Sequence, residues 1–202
     1  MKVVLINGSP HRKGNTFIAL SEVAGALEKE GVQTEIIQLG IKAVQGCIAC
    51  NKCAELGHCV FQDTLYNQVR EALQEADGIV VGSPVYYGGP NGALCALLDR
   101  VFYSCSELLA YKAGASVAVC RRGGASATFD RLNKYFTILN MPVVSSQYWN
   151  SVHGMRPGEA TEDAEGLQTM RMLGRNMAWL LKGVKREERP EPELRVMTNF
   201  IR

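Results

Sequence analysis

A loop near the start of the chain combines residue types that bind a phosphate group. Residues 7–16 follow the apolar run Val3–Ile6 and lead into a helical pattern, so backbone N–H groups of the loop and of the helix start would point at one spot. The residues predicted to hold an anion there are Ser9, His11, Arg12, Gly14, Asn15 and Thr16. The spacing matches neither a dinucleotide fingerprint nor a nucleoside triphosphate loop. An ordinary strand-to-helix turn with Asn15 as the helix cap is the alternative.

Two more loops with Gly or Pro residues follow later apolar runs. The loop after residues 78–82 offers aromatic rings for stacking and exposed backbone amides, and its predicted ligand contacts are Pro84, Val85, Tyr86, Tyr87 and Gly88. The loop after residues 116–120 offers cations and amides, and its predicted contacts are Arg121, Arg122, Gly123 and Gly124.

The elements that carry these loops alternate between strand and helix. Strands are predicted at 3–6, 34–39, 78–82, 116–120 and 143–148, and helices at 16–30, 64–76, 91–104, 127–139 and 161–181. Such alternation is typical of an α/β fold with helices on both faces of a five-stranded parallel sheet, and it favours the doubly wound strand order 2-1-3-4-5. Ligands of that fold bind at the carboxyl ends of strands 1 and 3, where the first two loops lie.

A ligand shared by three loops at one sheet edge needs a phosphate, a flat ring and a polar ring edge. Flavin mononucleotide (FMN) has all three features. Donors near its N1/C2 carbonyl would favour the anionic reduced flavin. The loops therefore predict an FMN site.

The first two loops resemble those of the NAD(P)H-dependent FMN reductase family over about residues 1–150. The segments that carry the resemblance are Gly8-Ser9-Pro10, Gly14-Asn15-Thr16, Ser83-Pro84-Val85-Tyr86-Tyr87-Gly88 and Leu97 with Asp99-Arg100. The resemblance implies a flavodoxin-like three-layer sandwich. It also implies that the first loop binds the FMN phosphate, the second lies along the isoalloxazine ring, and the third meets its pyrimidine side. Relatives often place Arg directly after Ser-Pro, where this chain has His11.

Four of the seven cysteines are crowded into the aperiodic segment 40–63. Their spacing, Cys47-x2-Cys50-x2-Cys53-x5-Cys59, resembles the compact motif of the iron-sulfur flavoproteins, a branch of the same family. This resemblance implies a [4Fe-4S] cluster held by the four thiolates. Zinc bound by the same thiolates and a loop of free thiols are the alternatives.

Length and composition restrict the class of protein. The 202 residues suit one domain, predicted at 1–182, followed by an arm at 183–202 that packs on a second subunit or on its own domain. With 22 basic and 20 acidic residues the net charge is +2, so neither a nucleic acid nor a membrane is the expected partner. The lack of a signal peptide pattern and of an apolar run long enough to cross a bilayer predicts a cytoplasmic protein, and in that compartment seven cysteines are poor evidence for disulfides.

The predicted function is that of an FMN-dependent oxidoreductase that passes hydride or electrons from NAD(P)H to flavin, quinone or another small acceptor. Because the flavin carries the chemistry, no catalytic side chain is predicted. An electron carrier that exchanges electrons between a cluster and a ferredoxin-type partner is the alternative, and a redox-sensing thiol protein is a third hypothesis. A homodimer or homotetramer is expected. Asp99 and Arg100 are expected to form a surface ion pair of little energetic consequence.

Overall fold

Five parallel strands form the centre of the computed structural model, which describes residues 1–184 together with 188, 190, 191 and 193. The strands are β1 (Lys2–Asn7), β2 (Gln33–Gln38), β3 (Gly78–Tyr86), β5 (Ala113–Cys120) and β6 (Ser151–His153), and a two-residue strand, β4 (Gly89–Pro90), pairs antiparallel with the end of β3. The sheet order is β2-β1-β3-β5-β6. Counted among the parallel strands alone, this is the predicted order 2-1-3-4-5, which is confirmed. Most of the predicted arm at 183–202 lies outside the described residues.

Helices connect these strands. They are α1 (Asn15–Lys29), α2 (Cys53–Leu56), α3 (Thr64–Glu75), α4 (Gly92–Ser104), α5 (Ser106–Leu109), α6 (Ala125–Thr137), α7 (Ala164–Val184) and a 3₁₀ helix (Glu159–Glu162). The single-turn helices α2 and α5 are too short to show a periodic pattern, so the sequence did not reveal them. Asp63 caps α3, since its side chain accepts a hydrogen bond from Tyr66 N over 3.1 Å. Within the described residues, no helix has both the length and the apolar character needed to span a bilayer.

The sheet separates two apolar cores and gives the molecule three layers. Alternate residues of a strand face opposite sides, so Val4 and Ile6 of β1 pack with α3, α4 and α6. Val3 and Leu5 pack with α1 and α7 on the other face. Because β1 is buried on both faces, it is apolar throughout residues 3–6, as the sequence pattern indicated.

The last parallel strand lies later in the chain than predicted. Within the predicted segment 143–148, only Val143 pairs with the sheet, through a single bridge to Gly114. Ser146 instead shapes a turn, because its Oγ donates to Tyr148 O over 2.6 Å and contacts Asn150 Oδ1 at 2.7 Å. Such local hydrogen bonds compete with strand pairing. The prediction at 143–148 was therefore wrong, and the strand is β6.

A buried lysine stabilises the end of α3 at the sheet edge opposite the predicted loops. Lys112 Nζ donates hydrogen bonds of 2.5 Å to both Leu73 O and Ala76 O. The last carbonyl groups of a helix lack partners within it and carry partial negative charge.

Lys112→Met is expected to lower the free energy of unfolding in urea by about 2–4 kcal/mol, because it leaves these carbonyls buried without a donor. The exposed Lys134→Met serves as control and should change it by less than about 0.5 kcal/mol. Similar losses in both variants would contradict this role.

Candidate functional site

Hydrogen bonds join the first two predicted loops at the carboxyl ends of β1 and β3. Gly8 N donates to Gly82 O over 2.8 Å, and Asn91 Nδ2 donates to Gly8 O over 2.8 Å. Asn91 also caps α4, because its Oδ1 accepts from Ala93 N over 3.0 Å. Its backbone N–H donates to Ser83 Oγ over 3.0 Å. This buried residue, which sequence analysis missed, therefore holds the two loops together.

The third predicted loop packs directly against the second. Gly124 has a φ of 89°, a conformation that favours glycine. A Cβ at this position would lie 2.7 Å from Val85 Cγ1 and 2.8 Å from Gly88 Cα. The third loop can approach the second this closely only because residue 124 has no side chain. The three loops therefore meet at one edge of the sheet.

The first loop has the geometry of an anion site. Helix α1 begins at Asn15, and Gly14 caps it without a side-chain hydrogen bond. The first N–H groups of a helix have no partners within it, so those of α1 are available to an anion. Ser9 Oγ accepts a hydrogen bond from His11 N over 3.1 Å and so shapes the loop. Arg12 is exposed beside it.

Asn15 connects the first loop to a fourth segment, residues 154–160, that sequence analysis did not assign to the site. Its Nδ2 donates to Arg156 O over 2.9 Å. Its Oδ1 accepts from Gly158 N over 3.1 Å and from Ala160 N over 3.2 Å. The side chain is thus largely occupied with fixing this segment beside the start of α1. A direct contact between Asn15 and phosphate stays a prediction.

The carboxylate of Asp163 holds the end of β6 against the start of α7. It accepts from His153 N over 2.6 Å and from Gly166 N over 2.9 Å, and its Oδ2 lies 3.3 Å from His153 Nδ1. Burial acts to raise the pKa of Asp163, but these hydrogen bonds outweigh it and lower that pKa below its ordinary value. The segment beside Asn15 is therefore supported by an ionised carboxylate.

Stability is expected to depend on pH through this carboxylate. Since the pKa of Asp163 lies below the ordinary 3.8 in the folded chain, its contribution is fully present well above pH 3.8 and is lost as the pH falls through the lowered value. Asp163→Asn should lower the free energy of unfolding by about 1–3 kcal/mol at about pH 6. Denaturant unfolding should show this difference shrinking as the pH falls below 3.8 and the parent carboxyl becomes protonated. A difference that does not change with pH would contradict the assignment.

The four clustered cysteines line one small cavity together with Arg100. Cys47 and Cys50 are exposed, Cys53 is partly buried and Cys59 is buried, all with free thiols. Burial and the neighbouring thiols raise the pKa of Cys53. In the part of the chain that the structure describes, no three His, Cys, Asp or Glu side chains are gathered tightly enough to hold one metal ion. The structure thus brings the predicted ligands to one cavity, spread around it rather than around a single point.

Arg100 is the buried cation of this cavity. Its side chain is fully buried, and its Nη1 lies 2.6 Å from Asp63 Oδ2. The guanidinium also donates to Gln45 O over 3.2 Å and to Phe61 O. Burial acts to lower the pKa of Arg100, but Cys59 and Asp63 outweigh it and raise that pKa. The side chain therefore remains charged inside the protein.

The predicted surface ion pair between Asp99 and Arg100 is wrong. Neighbouring residues on a helix point in different directions, so Arg100 faces the interior while Asp99 faces α6. There Asp99 Oδ1 accepts a hydrogen bond from Tyr135 OH over 2.5 Å and lies 3.7 Å from Arg131 Nη2. Burial, followed by the hydrogen bond to Asp99, raises the pKa of Tyr135.

Helix α4 extends from the loops to the cysteine cavity. It begins directly after Asn91 and carries Arg100 on its third turn. The rise between these two residues is about 13 Å along the helix axis. Gly46, at the start of the cysteine segment, lies against Ala96, since a Cβ on Gly46 would be 3.9 Å from Ala96 Cβ. Helix α4 therefore connects the three loops to the cysteine cavity.

Comparisons with known sequences show the family of this chain. The family model described as NADPH-dependent FMN reductase matches residues 1–155. An iron-sulfur flavoprotein of Methanocaldococcus jannaschii is 38% identical over 194 residues, which cover 92% of this chain and 100% of that protein. An iron-sulfur flavoprotein of Methanosarcina thermophila is 28% identical over 190 residues, which cover 92% of this chain and 98% of that protein.

Comparisons with solved structures confirm the flavodoxin-like fold. RosB with a bound 8-demethyl-8-formylriboflavin 5′-phosphate superposes with a TM-score of 0.72 at 15% identity, over 100% of this chain and 94% of RosB. A flavodoxin from the Archaea superposes with a TM-score of 0.60 at 16% identity, over 90% of this chain and 99% of that protein. At such low identity the likeness concerns the fold alone.

Proposed function

Because this chain belongs to the NADPH-dependent FMN reductase family of flavin oxidoreductases, we propose that it takes hydride or electrons from NAD(P)H into bound FMN and passes them to a small acceptor. The observation that carries the proposal is the meeting of three loops at the carboxyl edge of the sheet, through Asn91 and Gly124. FMN supplies the redox chemistry when bound, and the protein binds and orients it.

Each loop has a distinct task in this proposal. The N–H groups at the start of α1, with Ser9, Arg12 and Thr16, hold the phosphate. Residues 84–88 lie along the ring, and residues 121–124 meet its polar edge. The fully exposed Tyr87 has a φ of 50° and presents an aromatic face for the ring or for a second subunit. The homodimer or homotetramer expected from the sequence is part of the proposal.

The phosphate contact can be tested by comparing FMN with riboflavin, which lacks the phosphate. Arg12→Ala is expected to weaken FMN binding about tenfold or more, because it removes a charge-assisted interaction. Riboflavin binding, measured by fluorescence quenching, should not change. Lys29→Ala, at the far end of the same helix, should leave both affinities unchanged. An equal loss for FMN and riboflavin would place the phosphate elsewhere.

We propose that the cysteine cavity holds a [4Fe-4S] cluster in addition to the FMN at the three loops. Four free thiols line one cavity, which is the number of thiolates that a [4Fe-4S] cluster needs. The two archaeal relatives reported above are both iron-sulfur flavoproteins. Each thiolate would bind one iron, and the cluster would supply one-electron chemistry.

This cavity favours the second candidate function, an electron carrier that exchanges single electrons with a ferredoxin-type partner. Anaerobic purification followed by iron, zinc and acid-labile sulfide analysis distinguishes the candidates. About four irons and four sulfides per chain would support the cluster. Rapid NADPH oxidation by iron-free protein would eliminate the carrier. If the thiols acted as a redox switch instead, Cys47→Ser would alter flavin turnover in protein without iron.

A further inference from the structure

We propose that Arg100 is the positioning residue of the cysteine cavity and that its Nε–H donates a hydrogen bond to the sulfur of Cys59 when the cluster is bound. This inference rests on the proposed cluster and adds a residue outside the four cysteines. Three observations support it: a buried donor without a partner, a link between both ends of the cysteine segment, and a fixed position next to Cys59.

The first observation is the unpartnered donor. Arg100 is 1% exposed, and its Nε has no hydrogen-bond partner among the described residues. A buried N–H group without a partner costs free energy, so it marks a position where another group belongs. Arg100 lines the same cavity as the four cysteines. A sulfur in that cavity is therefore the acceptor that this donor lacks.

The second observation is that Arg100 ties the two ends of the cysteine segment together. It donates to Gln45 O, two residues before Cys47, and to Phe61 O, two residues after Cys59. Its ion pair with Asp63, the last residue of the segment 40–63, adds a third contact. One side chain thus closes the loop that carries all four cysteines.

The third observation is the fixed position of the guanidinium. Its central carbon lies 4.9 Å from the centre of the Tyr66 ring and 5.9 Å from that of Phe61. The Tyr66 hydroxyl accepts a hydrogen bond from Cys59 N over 2.9 Å. The same aromatic residue therefore contacts the cation and holds the backbone of the ligand next to it.

A cation and a hydrogen bond at this place have a measurable consequence. A cluster bound by four thiolates is anionic, and reduction adds one electron and one more negative charge. Positive charge nearby and N–H···S hydrogen bonds both stabilise the reduced cluster. Loss of Arg100 should therefore shift the midpoint potential of the cluster to more negative values.

The experiment compares Arg100→Lys and Arg100→Met with Arg131→Met, which removes a half-exposed arginine bound to Asp99. Redox titration of the loaded proteins, followed by electron paramagnetic resonance, should give the most negative potential for Arg100→Met and an intermediate one for Arg100→Lys. Arg131→Met should match the parent. With ¹⁵N-labelled arginine, the reduced parent should show a weak ¹⁵N hyperfine coupling that is lost in Arg100→Lys.

Hydrogen exchange provides a readout if Arg100→Met does not bind iron. Amides of residues 46–60 should exchange at least tenfold faster in both Arg100 variants than in the parent, because the loop is no longer closed. If Arg100→Lys changes neither the midpoint potential nor the exchange rates, the role of Arg100 is overturned, although the proposed cluster is not. A parent protein without iron would instead overturn the proposed cluster and, with it, the Nε–H···S bond.

Discussion

Replacing Asn91 by alanine is expected to abolish stoichiometric FMN binding and to lower the free energy of unfolding by about 2–4 kcal/mol. The Asn91 side chain makes two buried interactions at the site. Its Nδ2 donates to Gly8 O in the first loop, and its Oδ1 caps α4 through Ala93 N. Alanine removes both, leaving Gly8 O without its donor and the start of α4 without its cap. Flavin absorbance per chain and urea unfolding measure the two effects.

Two variants separate these contributions. Asn91→Ser keeps a hydroxyl acceptor that can cap α4 but is too short to donate to Gly8 O, so it should lose FMN with a smaller loss of stability. Asn67→Ala is the matched control, since its Nδ2 donates to Gln62 O over 3.2 Å at the start of α3. It should retain FMN and cost less than about 1 kcal/mol. Full flavin content in Asn91→Ala would show that the loops do not need this link.

Replacing Gly124 by alanine is expected to lower FMN affinity at least tenfold and the free energy of unfolding by about 2 kcal/mol or more. A φ of 89° is unfavourable for any residue with a Cβ. The new methyl group would also lie within 2.8 Å of Gly88 Cα, which real structures do not tolerate. The loop at residues 84–88, which we propose lies along the ring, must therefore move. Isothermal titration with FMN and thermal unfolding measure the change.

The neighbouring glycine is the control for this substitution. A Cβ on Gly123 would meet no atom within 4 Å, and its φ lies outside the left-handed region. Gly123→Ala should therefore change the free energy of unfolding by less than about 0.5 kcal/mol. Equal destabilisation by the two substitutions would show that the close contact of Gly124 with Val85 and Gly88 is not the cause of the loss of stability.

Local sequence signals were sufficient for the sheet order and for the three loops. Apolar runs buried on both faces of a sheet, such as residues 3–6, are recognisable without any knowledge of distant contacts. Loops rich in glycine and proline mark where those runs end. The doubly wound topology then places the loops at one edge, which is why their meeting could be predicted before the contacts were known, while FMN binding there stays a prediction.

Contacts between distant residues could not be predicted in the same way. Asn91 stood at the start of a predicted helix, but nothing in that pattern indicated its bond to Gly8, 83 residues earlier. The segment bound by Asn15 is more than 140 residues away from it. Sequence analysis placed Arg100 at the surface because a charged residue within an amphipathic helix usually lies there. Nothing local indicates that the cysteine segment folds over it.

The length of helix α4 fixes the distance and the angle between Asn91 and Arg100. Asn91, directly before its first turn, must reach the loops, and its third turn must bring Arg100 under the cysteines. Inserting one residue between them would rotate Arg100 by about 100° around the axis and carry it out of the cavity. We therefore expect the length of α4 between Asn91 and Arg100 to be fixed.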